Sequence, residues 1–225
     1  MPLAGKGMLL TSMDIDPTHE ADFNRWYDRE HLIERVAIDG FLEARRYIAH
    51  QGSPKYLCLY STETFEVLDS PAYRAALMNP TEWSKTNLAR FENMIRTVAR
   101  ITISRGQGRG ATLGIVRLRP AAGSHDALRA TLRARLDPEK RDGIVAMHLI
   151  ESDPALSKPL TDDPPVSDPG AGDWFVLIDA TNVNAISEAM AARFTGSGAL
   201  DGGIKISSGS YQLMWDLARS DVGLS

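Results

Sequence analysis

The sequence predicts an α+β fold in which the same set of strands and helices occurs twice in tandem. Segments of alternating apolar residues are separated by stretches with helical periodicity, and their order in residues 1–106 returns in residues 107–225. The glycine-rich segment 106–110 lies between the two halves, as a linker would. The repeat is one of element order, because the halves show no convincing residue identity.

The predicted elements of the first half are, in order, a strand at 8–15, a helix at 17–37, strands at 41–50 and 56–62, a helical stretch from 70 to 94 broken at 79–80, and a strand at 96–104. Gln51 to Pro54 separates the second and third strands, and its Gly, Ser and Pro are typical of a hairpin turn.

The predicted elements of the second half are a strand at 112–118, a helix at 124–136, strands at 144–151 and 174–179, a helix at 184–194, and a strand at 211–217. Ser124 is expected to cap the first helix and Thr195-Gly196 to end the second. Segment 157–172, rich in Pro, Asp and Gly, is expected to be an exposed, mobile loop.

Strand-helix-strand, repeated, is the split βαβ or ferredoxin-like unit. One unit leaves a face of its four-stranded sheet bare, so we expect the two units to pair face to face into an α+β barrel. A single continuous α/β sheet is the alternative.

Composition excludes several classes of function. The chain has 225 residues, 24% of them charged, with a net charge of -4 and no block of Lys and Arg, so we expect no nucleic-acid partner. It has no signal peptide pattern and no apolar run near the roughly 20 residues that span a bilayer, so we expect no membrane association. Cys58 is the single cysteine, which fits a reducing cytoplasm.

Residues 23–35 carry the most informative cluster of side chains. A regular helix would place Phe23, Trp26, Tyr27, Ile33 and Ala37 on one face toward the sheet, with Glu30 near its centre and His31 on its flank. A carboxylate at such a position needs a partner. His31 is either a general acid/base at the edge of a pocket or a satisfied structural histidine.

The following strands supply further candidates. Strand alternation sends Arg45 and Arg46 to opposite faces of the sheet, so only one of them can face the helix. Tyr56 and Tyr60 share a face and either line a pocket or are ordinary strand residues. Trp83 is either a lid over that pocket or a packing residue.

These motifs are similar to the EthD-like branch of the dimeric α+β barrel superfamily. The matching residues are Phe23-Asn24, Trp26-Tyr27-Asp28 and Glu30-His31 in the helix, then Gly40-Phe41, Ala44-Arg45-Arg46-Tyr47, Lys55-Tyr56-Leu57, Leu59-Tyr60, Leu68 to Arg74, and Asn79 to Trp83. The resemblance covers about residues 8 to 104, and the second half matches by architecture alone. Ile33 stands where many relatives have proline.

The resemblance implies a pocket between sheet and helices, in a superfamily that includes cofactor-free monooxygenases, lactone isomerases, polyketide cyclases, decarboxylases and some haem-binding branches. We therefore expect a cofactor-independent lyase- or isomerase-type enzyme of aromatic-compound catabolism. Its substrate would be an aromatic or polyketide-like molecule bound in a cavity within residues 1–105, with a smaller or filled space in the second half.

In this reading His31 and Tyr27 are catalytic, and the substrate-binding residues are Trp26, Glu30, Arg45, Arg46, Tyr56, Tyr60 and Trp83. No metal is expected, because the five histidines lack ligand spacing. Two other functions stay open, a non-catalytic ligand-binding or oligomerising module and a cofactor-free oxygenase. A homodimer is possible in each case.

Overall fold

The computed structural model describes residues 3–158, 170–194 and 200–223. Its strands are β1 Gly7–Asp14, β2 Phe41–Gln51, β3 Tyr56–Thr62, β4 Glu92–Gly106, β5 Thr112–Pro120, β6 Ile144–Ser152, β7 Trp174–Ala180 and β8 Gly203–Ala218. Its α-helices are α1 Glu20–Trp26, α2 Leu32–Val36, α3 Pro71–Met78, α4 Glu82–Leu88, α5 His125–Arg135 and α6 Val183–Phe194. A π-helical turn, Tyr27–His31, joins α1 to α2.

The eight strands form a closed barrel in the order β1-β3-β2-β8-β5-β7-β6-β4, and every ladder is antiparallel. Starting from β4, the strands of the first half follow one another as β4-β1-β3-β2. The strands of the second half follow as β8-β5-β7-β6, so in each half the last strand lies beside the first, and the third lies between the first and the second. The halves join where β2 pairs with β8 and β4 with β6. The predicted α+β barrel is confirmed, whereas the boundary between units at residues 106 and 107 stays a prediction.

The buried side chains form three layers. One fills the barrel with residues of the strands of both halves, such as Leu10, Leu59 and Leu177. A second lies between the sheet and helices of the first half and is rich in aromatic residues. The third is the corresponding layer of the second half, where Leu128 and Leu132 of α5 pack on the sheet. The two helix–sheet layers therefore differ in chemistry, as the sequence predicts.

The π-helical turn changes which residues of the first helix are buried. A π turn contains one more residue than an α turn and so rotates everything after it around the axis. Leu32 and Val36 are fully buried, whereas Ile33 is 41% exposed. The predicted face was therefore wrong beyond Tyr27, because the prediction assumed regular α periodicity throughout.

Local sequence signals explain other boundaries. Gly40 lies between α2 and β2 with φ +85°, and a Cβ there would lie 2.5 Å from Val67 Cγ2. Glycine is thus required by both backbone and space. Ser124 does occupy the N-cap of α5, but its side chain makes no capping hydrogen bond, which corrects the expected role.

Several predicted bounds shift or lie outside the described structure. The helical stretch predicted to reach residue 94 ends at Leu88, and β4 already begins at Glu92. The predicted helix stop at Thr195-Gly196 and most of loop 157–172 fall outside the described residues. Within the described ranges, no helix is both long and apolar enough to cross a membrane.

Candidate functional site

The candidate site is the aromatic layer between the first-half sheet and the helices that cover it. Strand pairing places four polar residues in one row across the sheet floor, with Arg46 beside Cys58, Cys58 beside Thr11, and Thr11 beside Arg96. Alternation along each strand turns these side chains toward the helices. Tyr27, from the π turn, lies above this row.

Arg46 is the arginine that faces the helix. Its side chain is fully buried; Nη1 donates to Asp28 Oδ1 at 2.6 Å, and Nη2 donates to Asn24. Its guanidinium also lies 4.6 Å from the ring centroid of Tyr27, in cation–π contact. A buried cation with a carboxylate partner on the facing helix fastens that helix to the sheet, and its charge is already matched.

Arg45 points the other way, into the barrel. It donates to Glu43 at 3.1 Å and to Asp179 of β7 at 3.5 Å, and it is 2% exposed. Asp179 belongs to the second half, so this pair links the two halves inside the barrel. The structure therefore places Arg45 on the opposite side of the sheet from His31. Its predicted contact with a substrate near that histidine is not supported by this position.

His31 lies within the aromatic layer rather than on its flank. Its ring is 4.4 Å from Trp26 and 5.0 Å from Tyr27 by centroids. Nδ1 is buried and has no hydrogen-bond partner in the part of the chain that the structure describes, while 8% of the residue remains accessible. Burial lowers the pKa of His31 well below 6.5, and the positive charges of Arg35 and Arg46 lower it further. The imidazole is therefore neutral at physiological pH.

The phenol and thiol groups of the same layer are also neutral. Burial raises the pKa of the Tyr27 phenol, and its neighbour Cys58 adds to the rise. Burial raises the pKa of the Cys58 thiol to about 11. The Tyr60 ring meets His31 edge-on at 6.5 Å. Burial and the neighbouring Tyr27 phenol raise the pKa of Tyr60, and within the described residues its hydroxyl has no partner at hydrogen-bond distance. A neutral base and protonated phenols therefore lie side by side.

Glu30 is only partly buried and is held by side chains. Its Oε1 accepts hydrogen bonds from Trp26 Nε1 at 3.2 Å, Thr81 Oγ1 at 2.6 Å and Ser84 Oγ at 3.2 Å. Thr81 caps α4 by accepting from the Ser84 amide. Glu30 thus connects the π turn to the start of α4, and Trp26 is fixed in the same network.

Tyr56 and Trp83 lie at the edge of the layer, toward α1. The Tyr56 hydroxyl is 3.3 Å from both Asn24 Nδ2 and Glu20 Oε1. Trp83 is half-buried and donates from Nε1 to Asp22 at 3.2 Å. Both residues have partners at the α1 end, and the structure does not gather them around His31.

Two buried cations were not among the predicted site residues. Arg35 is 6% exposed and Arg96 is 9% exposed. Arg96 donates to the Leu156 carbonyl at 2.6 Å and to the Tyr73 hydroxyl at 3.5 Å, both neutral acceptors. Arg35 follows His31 by four residues and so shares its helix face. That four-residue spacing was the sequence signal that Arg35 lies near His31. It was outweighed by the general expectation that a charged residue is exposed.

The comparisons with known proteins establish the fold. No protein-family model and no curated protein match the chain. An anthrone oxidase-like protein superposes with a TM-score of 0.63 at 10% identity, over 95% of this chain and 93% of its own. A proposed monooxygenase from Lactobacillus acidophilus gives 0.55 at 7%, over 96% and 97%. A haem-binding protein from Thermus thermophilus gives 0.50 at 9%, over 99% and 96%.

These similarities define the fold. The chain has the α+β barrel fold of the ferredoxin-like dimeric barrel proteins, and here both halves of the barrel come from one chain. Identities this low show the fold alone, and related folds carry unrelated reactions.

The two buried histidines do not fit a haem site. A haem iron needs an axial ligand whose nitrogen faces a space wide enough for the whole porphyrin ring. His31 is enclosed by Trp26 and Tyr27, and His148 is fully buried, with Nδ1 3.0 Å from Ser104 Oγ. In the part of the chain that the structure describes, no group of three His, Cys, Asp or Glu side chains could hold a metal ion.

Proposed function

We propose that this chain is a cofactor-independent small-molecule enzyme of the EthD-like branch, in which His31 moves a proton. The observation that supports this most directly is the neutral His31 imidazole, whose buried Nδ1 has no hydrogen-bond partner. A structural histidine at such depth would have its nitrogens satisfied, since an unpaired buried polar atom costs free energy. A bound substrate would supply the missing partner.

The chemistry that fits is proton transfer at carbon next to a carbonyl group or aromatic ring. Nδ1 of neutral His31 accepts the proton, and the adjacent protonated Tyr27 phenol donates a hydrogen bond to the oxygen on which negative charge develops. Returning the proton to another carbon isomerises the substrate. Attack of the carbanion on a carbonyl carbon of the same molecule, whose oxygen then takes the proton, cyclises it. Departure of a leaving group with its electron pair, followed by its protonation, makes the enzyme a lyase. The rings of Trp26, Tyr27 and Tyr60 suit an aromatic or polyketide-like substrate.

Deuterium exchange tests this proposal without a known product. A panel of aromatic 1,3-diketones and hydroxyaromatic ketones is incubated with the protein in D₂O, and loss of the acidic C–H signal is followed by proton NMR. We expect catalysed exchange for at least one compound. His31→Gln should keep the fold and slow exchange by about a hundredfold or more, the scale of one positioned base.

His19→Gln is the matched control, because His19 is exposed on the surface before α1. It should exchange at the wild-type rate. Full exchange by a folded His31→Gln protein would reject the mechanism. An oxygen electrode in the same experiment identifies the alternative of a cofactor-free oxygenase, which would consume oxygen with a phenolic member of the panel.

A non-catalytic module is the second candidate, favoured by the Glu30 network. Its hydrogen bonds to Trp26, Thr81 and Ser84 hold helices together, as an architectural motif does. His31 takes no part in that network. Binding of panel members without exchange in the wild-type protein would favour the module.

A further inference from the structure

The aromatic layer of the first half carries more positive than negative charge. Three arginines in it are at least nine-tenths buried: Arg35, Arg46 and Arg96. Of these, only Arg46 pairs with a carboxylate, that of Asp28, among the residues that the structure describes. Arginine stays charged at every accessible pH. Among the described residues, the two other buried guanidinium groups therefore form no ion pair with a carboxylate.

Uncompensated buried charge is costly, and a protein usually pairs it or leaves it exposed. Glu34 is the carboxylate next to Arg35 in sequence and is only half-buried. Burial and repulsion from Glu30 raise its pKa, and the charge of Arg35 offsets part of that rise, so the attraction between the two is that of a partly exposed pair with no direct ion-pair contact. Arg96 is turned toward the carbonyl of Leu156 and the phenol of Tyr73. These surroundings leave the charges of Arg35 and Arg96 available to a bound anion.

Unpaired hydrogen-bonding groups lie in the same layer. The hydroxyls of Thr11 and Tyr60 and Nδ1 of His31 are buried, and none of them has a partner within hydrogen-bond distance among the described residues; the Tyr27 phenol is near enough to both hydroxyls for them to act on its pKa. Thr11 pairs with Arg96 across β1 and β4. Arg35 is close enough to Tyr60 that its charge opposes the rise in pKa that burial causes in that phenol. Arg96 therefore has the Thr11 hydroxyl on the neighbouring strand, and the charge of Arg35 acts on the Tyr60 hydroxyl.

We propose that this layer binds an organic carboxylate, with Arg35 and Arg96 as the groups that attract its charge and the hydroxyls of Tyr60 and Thr11 as donors to its oxygens. Guanidinium and carboxylate are matched in charge and planar geometry. This inference rests on the proposed function in one respect only, that His31 acts on the ligand held there. It assigns the substrate to the anionic aromatic or polyketide-like acids.

Anion binding would also change His31. The charge of Arg35 is one cause of the low pKa of His31, and a carboxylate beside Arg35 would offset it. The charged groups that act on this imidazole are Arg35 and Arg46, and Arg46 is already paired with Asp28. The substrate would therefore strengthen the base that acts on it.

Binding is measured by calorimetry and by thermal melting with two pairs of probes, salicylate against neutral salicylamide and acetate against neutral acetamide, at constant ionic strength. We expect each acid to raise the melting temperature more than its amide, and salicylate to bind at least about tenfold more tightly than salicylamide. Arg35→Gln and Arg96→Gln should each lose about tenfold in salicylate affinity, and Arg35→Lys should lose less.

Arg25→Gln is the control, because that side chain is 68% exposed on the neighbouring helix α1. It should bind salicylate as the wild type does. His31→Gln should still bind salicylate, so a failure of the catalytic proposal leaves this one standing. Equal effects of acids and amides, or no stabilisation by either acid, would overturn the proposal. So would unchanged affinity in both the Arg35→Gln and Arg96→Gln proteins.

Discussion

Replacing Tyr60 by phenylalanine should stabilise this protein. The Tyr60 side chain is fully buried, and its hydroxyl has no hydrogen-bond partner. An unsatisfied buried polar group costs roughly 1 to 3 kcal/mol. Removing only the oxygen leaves the ring contacts with His31 and Phe41 in place. We therefore expect the free energy of unfolding to rise by about 1 kcal/mol.

Tyr56→Phe is the matched substitution, because Tyr56 lies on the same face of the same strand. Its hydroxyl contacts Asn24 and Glu20 at 3.3 Å each. A typical hydrogen bond contributes about 0.5 to 1.5 kcal/mol net, and these two are long. We expect Tyr56→Phe to lower the free energy of unfolding by about 1 kcal/mol. The two substitutions should therefore change the stability of the protein in opposite directions.

Urea denaturation followed by tryptophan fluorescence measures both values, and thermal melting checks them. For a chain of this length, about 1 kcal/mol corresponds to a shift of roughly 2–4 °C in Tm. If Tyr60→Phe destabilises the protein as much as Tyr56→Phe does, the Tyr60 hydroxyl has a partner such as a buried water. The Tyr60 hydroxyl would then not be an unsatisfied donor for a ligand to meet, and the part of the reasoning that depends on it would fail.

Three further outcomes test the helix and its surroundings. Leu32→Ala should cost about 2–5 kcal/mol and Ile33→Ala less than about 0.5 kcal/mol; the reverse order in urea would mean that the helix is regular. Trp26→Ala should cost about 3–5 kcal/mol by the same measurement, because the side chain is fully buried; a cost under about 1 kcal/mol would contradict that burial. Because burial lowers the pKa of His31, the unfolded chain binds a proton near pH 6.5 that the folded chain does not. Stability should therefore fall as the pH drops below about 6.5, and His31→Gln should show less of this fall across a pH series of urea titrations.

The strand framework could be predicted because strand patterning is local. Successive residues of β2 lie on opposite faces of the sheet, so that Arg45 points into the barrel and Arg46 toward the helix. The sequence showed that the two must diverge. It could not show which faces the helix, because that depends on Asp28 and Asp179, which lie on elements distant in the chain.

The interior of the candidate site was predicted less well. The aromatic residues Trp26 and Tyr27 lie where the pattern put them, since they precede or begin the π turn. Ile33 does not, because no periodicity rule signals the one extra residue that the turn contains. Arg35 and Arg96 were missed for a different reason: burying an arginine is unfavourable unless something in the fold or a ligand compensates it.

The π turn links these two failures. In a regular helix Ile33 would pack on the sheet, and His31 would lie on the flank. With one extra residue, His31 turns to the sheet, and Arg35, four residues later, turns with it. The same shift therefore exposes an apolar side chain and buries a base and a cation. Each change is unfavourable for stability alone, which is the pattern expected where a structure departs from its local preferences to build a site.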